Sequence, residues 1–335
     1  SSRSLVGLRG DITENWRFDA FVNYSRLNYS EVYNNDLSIT NIIRALNVVA
    51  DPVTGEPVCQ SVVDGSDPAC VPYNVFQPGG STAAARAYID LPLFSKADLD
   101  MAQVVGYVEG DLGVALPSAG DNISVVIGGE YRDDSMVFDL DQNYNNGNAA
   151  GQGGATADVS GSVSVTEFFT EARIPLVQDK QFAEDLSLDL RYRFSDYNLG
   201  FDADTWSTGV AWSPTEMVKI RASLSRSVRA PNINELFQPQ TIGLWQGTDP
   251  CAGATPTLTE AQCARTGVPA GSYGSVAANP ADQYNGLFGG NPNLDPETSD
   301  SFTVGVVVQT DFGLSVSVDY WQVEVEDAIS TIGAE

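Results

Sequence analysis

The sequence predicts an all-β protein: an antiparallel transmembrane β-barrel, of which about ten strands lie in this chain. Three observations predict it. Segment after segment alternates apolar and polar residues with a period of two, which puts one set on each face of a sheet. Every second connection is short and most of the others are long. A soluble sandwich has no reason to sort its loops this way, whereas an outer-membrane barrel keeps short turns in the periplasm and long loops outside. The polar face is also too polar for a packed core. Asp189, Arg191 and Arg193 on one strand, and Lys219 with Arg221 on another, would be costly to bury without partners, and a wet lumen removes that cost. The apolar face would then meet lipid.

The elements follow in order. The first strand is expected over Leu5 to Ile12, and a tight turn at Thr13–Asn15 leads to the second. There Trp16, Phe18, Ala20, Val22 and Tyr24 alternate with Arg17, Asp19, Asn23 and Ser25. A long loop near 34–97 follows. The third strand is placed near Met101 to Leu116, turning at Pro117–Asn122 into a strand carrying Ile123, Val125, Ile127 and Tyr131. An Asn/Gly-rich loop spans Gln142 to Ala157, and the fifth strand runs near Val159 to Leu176. After Gln178–Asp185 comes a strand with Leu186, Leu188, Leu190, Tyr192 and Phe194 on one face. The seventh starts near Asp204 with Trp206, Thr208, Val210 and Trp212. Ser213–Glu216 turns it into the eighth, with Val218, Ile220, Ala222 and Leu224. A second long loop, near 231–297, precedes a ninth strand at about Ser299 to Gln309. Asp311-Phe312-Gly313 turns into a tenth with Leu314, Val316, Val318 and Tyr320. Trp16, Tyr24, Trp206, Trp212 and Tyr320 are candidates for the interfacial aromatic girdle.

Composition narrows the function. The chain has 335 residues and a net charge of −27, so nucleic-acid phosphates would be repelled. Much of the acid falls in Asp133-Asp134, Asp139-Leu140-Asp141 and Asp202-Ala203-Asp204. These read as solvated loop charge or, more sharply, as divalent-cation binding at an outer-membrane surface. No histidine is present, which removes Ser-His-Asp and Cys-His catalysis and His-based zinc or haem sites. No apolar run is long enough for a membrane-spanning helix, a test that barrel strands do not face. Asp139-x-Asp141-x-Asn143-x-Asn145 with Gly147 faintly resembles a calcium loop but lacks the distal bidentate Glu. No cofactor or metal is expected, and no phosphate-binding glycine loop or paired catalytic carboxylates argue for an enzyme.

The four cysteines form two close pairs, Cys59/Cys70 and Cys251/Cys263, each inside a turn-rich loop. Neither spacing is a C-x-x-C motif, so two local disulfides in an oxidising compartment are expected, against reduced neighbours as the alternative. No signal peptide shows at Ser1-Ser2-Arg3: either it has been removed or the chain begins partway through a larger protein.

Two segments flank the second long loop. Arg229-Ala230-Pro231-Asn232-Ile233-Asn234-Glu235-Leu236-Phe237 follows the eighth strand, and Asn291-Pro292-Asn293-Leu294-Asp295-Pro296-Glu297-Thr298 precedes the ninth. Together with Gly128-Gly129-Glu130-Tyr131-Arg132, Phe182 to Tyr192, Ser225 to Pro231 and Val318-Asp319-Tyr320-Trp321, taken in collinear order, they resemble the TonB-dependent outer-membrane receptors over nearly the whole chain. The resemblance implies a 22-stranded barrel with a lumenal plug, and the uptake of a scarce nutrient driven by a TonB-type energy-transducing complex through that plug. Neither a plug nor a terminal strand ending in an aromatic residue is found, and Glu335 falls just after a strand. The chain is therefore expected to be part of a longer receptor, a single partial barrel domain over 1–335.

Within that frame, Arg229, Pro231, Asn232, Glu235, Asn291, Pro292, Asn293, Pro296 and Glu297 are read as structural. The prolines cannot donate to a ladder and so end pairing where strand becomes loop. Arg229 would pair with a loop carboxylate or with the plug, direct contact with a substrate being the alternative. The loop aromatics Tyr73, Phe76, Trp245, Tyr273, Tyr284 and Phe288 either pack the loops together or stack on a ligand such as a sugar ring or an aromatic siderophore. The long disulfide-bearing loops resemble those of receptors for a carbohydrate or other bulky nutrient. A passive porin and a secreted β-rich adhesin or hydrolase are the rival readings.

Overall fold

The structure, a computed structural model, describes residues 1–331 and 333; Glu335 lies outside the described residues. Ten strands form one antiparallel sheet in which each pairs with its neighbours along the chain. They are β1 (Ser2–Thr13), β2 (Trp16–Leu37), β5 (Asp90–Asp111), β6 (Ser124–Leu140), β7 (Val159–Lys180), β8 (Ala183–Tyr197), β9 (Asp202–Thr215), β10 (Val218–Arg229), β13 (Glu297–Gln309) and β14 (Ser315–Glu326). The sheet is not closed: β1 and β14 are its edges. Two small hairpins lie in the loops, β3 (Val48–Ala50) with β4 (Pro57–Cys59), and β11 (Thr241–Gln246) with β12 (Gln283–Phe288). Short helices α1 (Ile39–Leu46), α2 (Gln60–Val63), α3 (Ala83–Ile89), α4 (Gln142–Asn145), α5 (Ile233–Phe237) and α6 (Glu260–Arg265) lie in the loops, and no described helix is long and apolar enough to cross a membrane.

Register assigns each side chain to a face. Asp189 pairs with Arg173 and with Gly209, so all three share the polar face, as do Arg191 with Glu171 and Arg193 with Phe169. Leu186, Leu188, Leu190, Tyr192 and Phe194 occupy the other. The same rule puts Val6, Leu8, Val22, Val104, Ile127, Val210, Leu224, Val306 and Val318 on the apolar face, and most of them are well exposed. The five girdle candidates share that face: Trp16 and Tyr24 on β2, Trp206 and Trp212 on β9, Tyr320 on β14.

On the polar face side chains are knitted across strands. Arg3 Nε donates to Asn23 Oδ1 (2.9 Å), Asn23 Nδ2 to Gln103 Oε1 (3.3 Å) and Gln103 Nε2 to Glu130 Oε1 (2.7 Å). Further along, Arg193 Nη1 and Ser195 Oγ donate to Glu167 (2.7 and 2.6 Å). The Arg193 guanidinium also lies 4.9 Å over the Phe169 ring. Six adjacent strands therefore share one polar belt, which answers the desolvation cost that alternation alone leaves open.

Several boundaries differ from expectation. β2 and β5 run as 22-residue strands and stay paired up to Leu37 and Asp90, so the irregular stretch is 38–89 rather than 34–97. Alternation weakens past the apolar band, because each face there mixes polar and apolar residues, Val32 and Phe94 with Arg26 and Lys96 on one and Leu27 and Leu93 with Glu31 and Ser95 on the other, yet the ladder hydrogen bonds continue. For the same reason Asp133, Asp134, Asp139, Asp202 and Asp204 sit on strands, not in loops. The third strand ends at Asp111, and the connection to β6 occupies 112–123 instead of 117–122. That longer turn is braced by Gln178, whose Oε1 accepts from the backbone of Gly120 and Asp121 (2.9 Å each). In turn β7 and β8 approach to a two-residue connection within the expected turn 178–185.

Candidate functional site

The connections sort to the two ends of the strands. Residues 38–89, 141–158, 198–201 and 230–296 emerge at one end, and the remaining connections between strands of the sheet at the other. Chemistry concentrates at the first.

At the base of the 230–296 loop, one arginine holds two carboxylates. Arg229 Nε and Nη2 donate to Glu297 (2.7 and 2.8 Å), and Nη1 and Nη2 donate to Glu235 (3.0 and 3.2 Å). The ends of β10 and β13 are thereby joined to helix α5 (Ile233–Phe237). Asn232 caps α5 in a capping box with Glu235: Glu235 N donates to Asn232 Oδ1 (2.9 Å) and Asn232 N to Glu235 Oε2 (2.7 Å). Burial alone would raise the Glu235 carboxyl, but the Arg229 guanidinium and the Asn232 N–H overcome it and hold it below the usual range. The returning segment closes the ring: Asn291 N donates to Glu235 O (2.7 Å), and Asn293 N to Asn291 Oδ1 (3.0 Å). Pro231 and Pro296 lie just outside the ladder that Arg229 and Glu297 terminate, and Pro292 lies further out in the returning segment.

The helix then reaches across the polar face to β7, three strands away. A Cβ at Gly161 would collide with the Phe237 ring, so this glycine is the seat for α5. Leu236 beside it is buried. An isolated glycine inside a strand was the available signal, but its partner is remote in sequence.

Both cysteine pairs are bonded. Cys59–Cys70 and Cys251–Cys263 have Cα atoms 6.1 and 5.7 Å apart. Cys59 and Cys70 join Ala45 and Ile89 in a small apolar core that Tyr73 packs against. Beside it Asp67 accepts from the Tyr88 hydroxyl (2.7 Å) and from Arg44 (3.0 Å). The Tyr88 hydrogen bond foremost holds the Asp67 carboxyl below its ordinary value.

The other aromatics disperse. Trp245 and Tyr284 face each other across the β11–β12 hairpin with centroids 5.7 Å apart, and Phe288 shares their face, lying over Gly243 and Gly286. The opposite face carries Ile242, Leu244 and Leu287, all exposed. Tyr273 donates to Leu258 O (2.9 Å), and Phe76 is 94% exposed. The structure thus groups three of the six aromatics and separates Tyr73, Phe76 and Tyr273 from them.

The calcium-like stretch is a helix cap. Asp141 accepts from Asn143 N (2.7 Å) and from Phe94 N (2.6 Å), so its oxygens are already used by backbone, and no described cluster of acids could hold a metal. The same loop bolts to its neighbour through two residues not singled out in the sequence. Buried Asp36 accepts from Gly151 N (2.8 Å) and Gln152 Nε2 (3.0 Å), and Asn148 bonds Ser38 and Thr40. Below the loops, between α5 and the polar face of β2, β5, β6 and β7, is a cavity of about 710 Å³.

Comparison with known proteins accords with this architecture. The family described as TonB dependent receptor-like, beta-barrel matches residues 1–334. Among solved structures, the ferric enterobactin receptor PfeA of Pseudomonas aeruginosa is 18% identical with a TM-score of 0.56, over 96% of this chain and 35% of that one. The siderophore receptor PirA of Acinetobacter baumannii is 14% identical with a TM-score of 0.53, over 97% of this chain and 35% of that one. At these identities the likeness concerns the fold, and the chain spans about a third of the length of either receptor. A comparison with curated proteins finds no match. The family is one of receptors and transporters rather than enzymes, and this chain belongs to it as a TonB-dependent receptor β-barrel.

Proposed function

We propose that residues 1–335 are one partial barrel domain of an outer-membrane receptor that takes up a scarce nutrient of the siderophore or oligosaccharide kind, with no catalysis of its own. The observation that carries this reading is the pairing of a lipid-compatible apolar face with braced, disulfide-bonded loops at one end of the strands, over a polar lumen wall. Lipid packs on the apolar face. The loops at 38–89 and 230–296 lie outside the cell, where long irregular backbone can satisfy its polar groups, and Trp245, Tyr284, Phe288, Tyr73 and Phe76 contribute ligand-facing surface. A plug in the longer protein, worked by a TonB-type complex, supplies the energised step, since the outer membrane has no nucleotide supply of its own. The reach of α5 from β10 to β7 across the polar face argues against a permanently open pore.

The test is topological. Epitope tags at Gly79 and Gly271 in the full-length receptor should be reachable on intact cells, and a tag at Ala119 should not. The reverse pattern would overturn the topology and the receptor reading with it.

A further inference from the structure

At the end of the strands opposite the long loops, three turns that lie side by side carry exposed apolar residues. Phe182 stands in the β7–β8 turn, Met217 in the β9–β10 turn, and Phe312 with Leu314 in the β13–β14 turn. Phe182 is 69% exposed. Its backbone is also unusual, with φ +63°, in the left-handed region where a Cβ crowds the following carbonyl oxygen. Every other described residue with a left-handed φ is Gly, Asn or Asp, the types that tolerate it. The β13–β14 turn follows that rule, with Gly313 in the left-handed place beside Phe312. Asn or Gly at position 182 would hold the β7–β8 turn with less strain, so turn formation does not call for a phenyl ring there.

The place of the turn says what the ring meets. Trp212 lies on the apolar face of β9, opposite Leu186, and its Nε1 donates to the Phe182 carbonyl (2.9 Å). A side chain of the lipid-facing side therefore holds the turn, and the turn continues that side past the last ladder pair, Lys180 with Ala183. Leu314 precedes Val316 and Val318 by the same period of two, so the apolar face is prolonged there as well. Such groups gain nothing in water, whereas the boundary between headgroups and acyl chains buries them. They differ from the girdle candidates, which all stand on ladder strands. Exposed Asp179, Glu184 and Glu216 outweigh Lys180 around the tip, which disfavours anionic headgroups and suits a zwitterionic surface.

We propose that this row of turns is a lipid-docking surface, on which Phe182 inserts into the headgroup boundary of the zwitterionic phospholipid leaflet at the short-turn end and fixes the depth of the barrel there. Met217, Phe312 and Leu314 extend the contact along the same end. Burial of the ring offsets the strain of its backbone, which is why a phenyl side chain holds a place suited to Gly or Asn. The proposal rests on the barrel reading and adds to it residues that strand alternation leaves outside the membrane.

The experiment uses the full-length receptor with Gln181→Cys, labelled with a nitrobenzoxadiazole fluorophore and reconstituted in phosphatidylcholine vesicles. This reporter adjoins Phe182 and leaves the ring in place, and Lys180→Cys is a second reporter should the first fail to fold. All cysteines of the described chain are disulfide-bonded, so the label reads the introduced thiol alone within it. Two quenchers are compared: a phospholipid with a nitroxide near its headgroup, and iodide on both sides of the membrane. The label should lose most of its emission to the nitroxide lipid and little to iodide. A label at Glu14→Cys, in the polar β1–β2 turn at the same end, should do the reverse. Adding Phe182→Asn keeps a left-handed turn but removes the ring. Nitroxide quenching should then fall, and iodide quenching should rise to the level seen with Glu14→Cys, while Phe182→Leu should retain most of the lipid quenching. A role in turn formation alone predicts the opposite order, since Asn suits the turn better than Leu. Iodide quenching at position 181 as strong as at position 14 would overturn the proposal. So would shielding from both quenchers, which would mean that protein covers the turn, or lipid quenching indifferent to Phe182→Asn. Failure of the receptor reading is registered separately by the tag pattern at Gly79, Gly271 and Ala119.

Discussion

Arg229 satisfies two carboxylates that would otherwise repel each other at the foot of a 67-residue connection, residues 230–296. Arg229→Ala removes the counter-charge and leaves Glu235 and Glu297 facing. The expected result is an intact strand ladder with a loosened loop, read as faster protease cleavage within 238–290 and unchanged protection elsewhere. Arg229→Lys should restore only part of the protection, because an ammonium cannot serve two carboxylates bidentately. The pH dependence has a definite sign. The Glu235 carboxyl is held below its ordinary value, so its contribution is present above the ordinary glutamate range, about 4.3, and is lost as pH falls through the lowered value. The loop should stay protected at neutral pH and become labile only in acid. Lability appearing between pH 6 and 8 would contradict this, as no described histidine exists to titrate there. Sequence showed Arg229 and Glu297 as flanks of a loop, but not that they are register partners or that Glu235 completes the clamp.

At the scale of elements, α5 and β7 are matched in shape. Gly161→Val places side-chain atoms where the Phe237 ring lies, and should undock α5 while leaving the β6–β7–β8 ladder intact. Phe237→Ala vacates the seat, and the double variant should be milder than the sum of the two singles. Strict additivity in protease or hydrogen-exchange protection of 230–240 would show that the two residues do not interact. The loop disulfides act more locally. Each closes a short ring, with separations of 11 and 12 residues, so the chain-entropy model assigns about 3 kcal/mol to each. Cys251→Ser with Cys263→Ser should loosen 250–275 without altering 38–89, a separation that hydrogen exchange resolves. On β8, Leu190→Arg puts a charge on the apolar face, and near the bilayer midplane it should cost roughly 2–4 kcal/mol of folding free energy in bilayers. An unchanged value would move Leu190 away from lipid.

At the scale of the whole molecule, the class of fold, the two faces of each strand, the sorting of loops and the local cysteine pairs were legible in the chain before any tertiary contact was known. These depend on residues near one another: a period of two needs only neighbours, and an 11-residue ring needs only a turn. Strand length was legible only where the two faces differ chemically. Once β2 and β5 rise past the apolar band, each face mixes polar and apolar residues, and only the partner strand reveals that the ladder continues to Leu37 and Asp90. Tertiary structure alone decided which residues meet across the mouth. Asp36 finds Gly151, Arg229 finds Glu235 and Glu297, Phe237 finds Gly161, and Leu27, Leu99 and Met136 line up through register across three strands. The aromatics show the same limit: composition marked six of them as one group, and pairing on a hairpin united three. Each of these encounters depends on strand order and register, which are properties of the assembled sheet, because in the chain the partners lie up to more than a hundred residues apart.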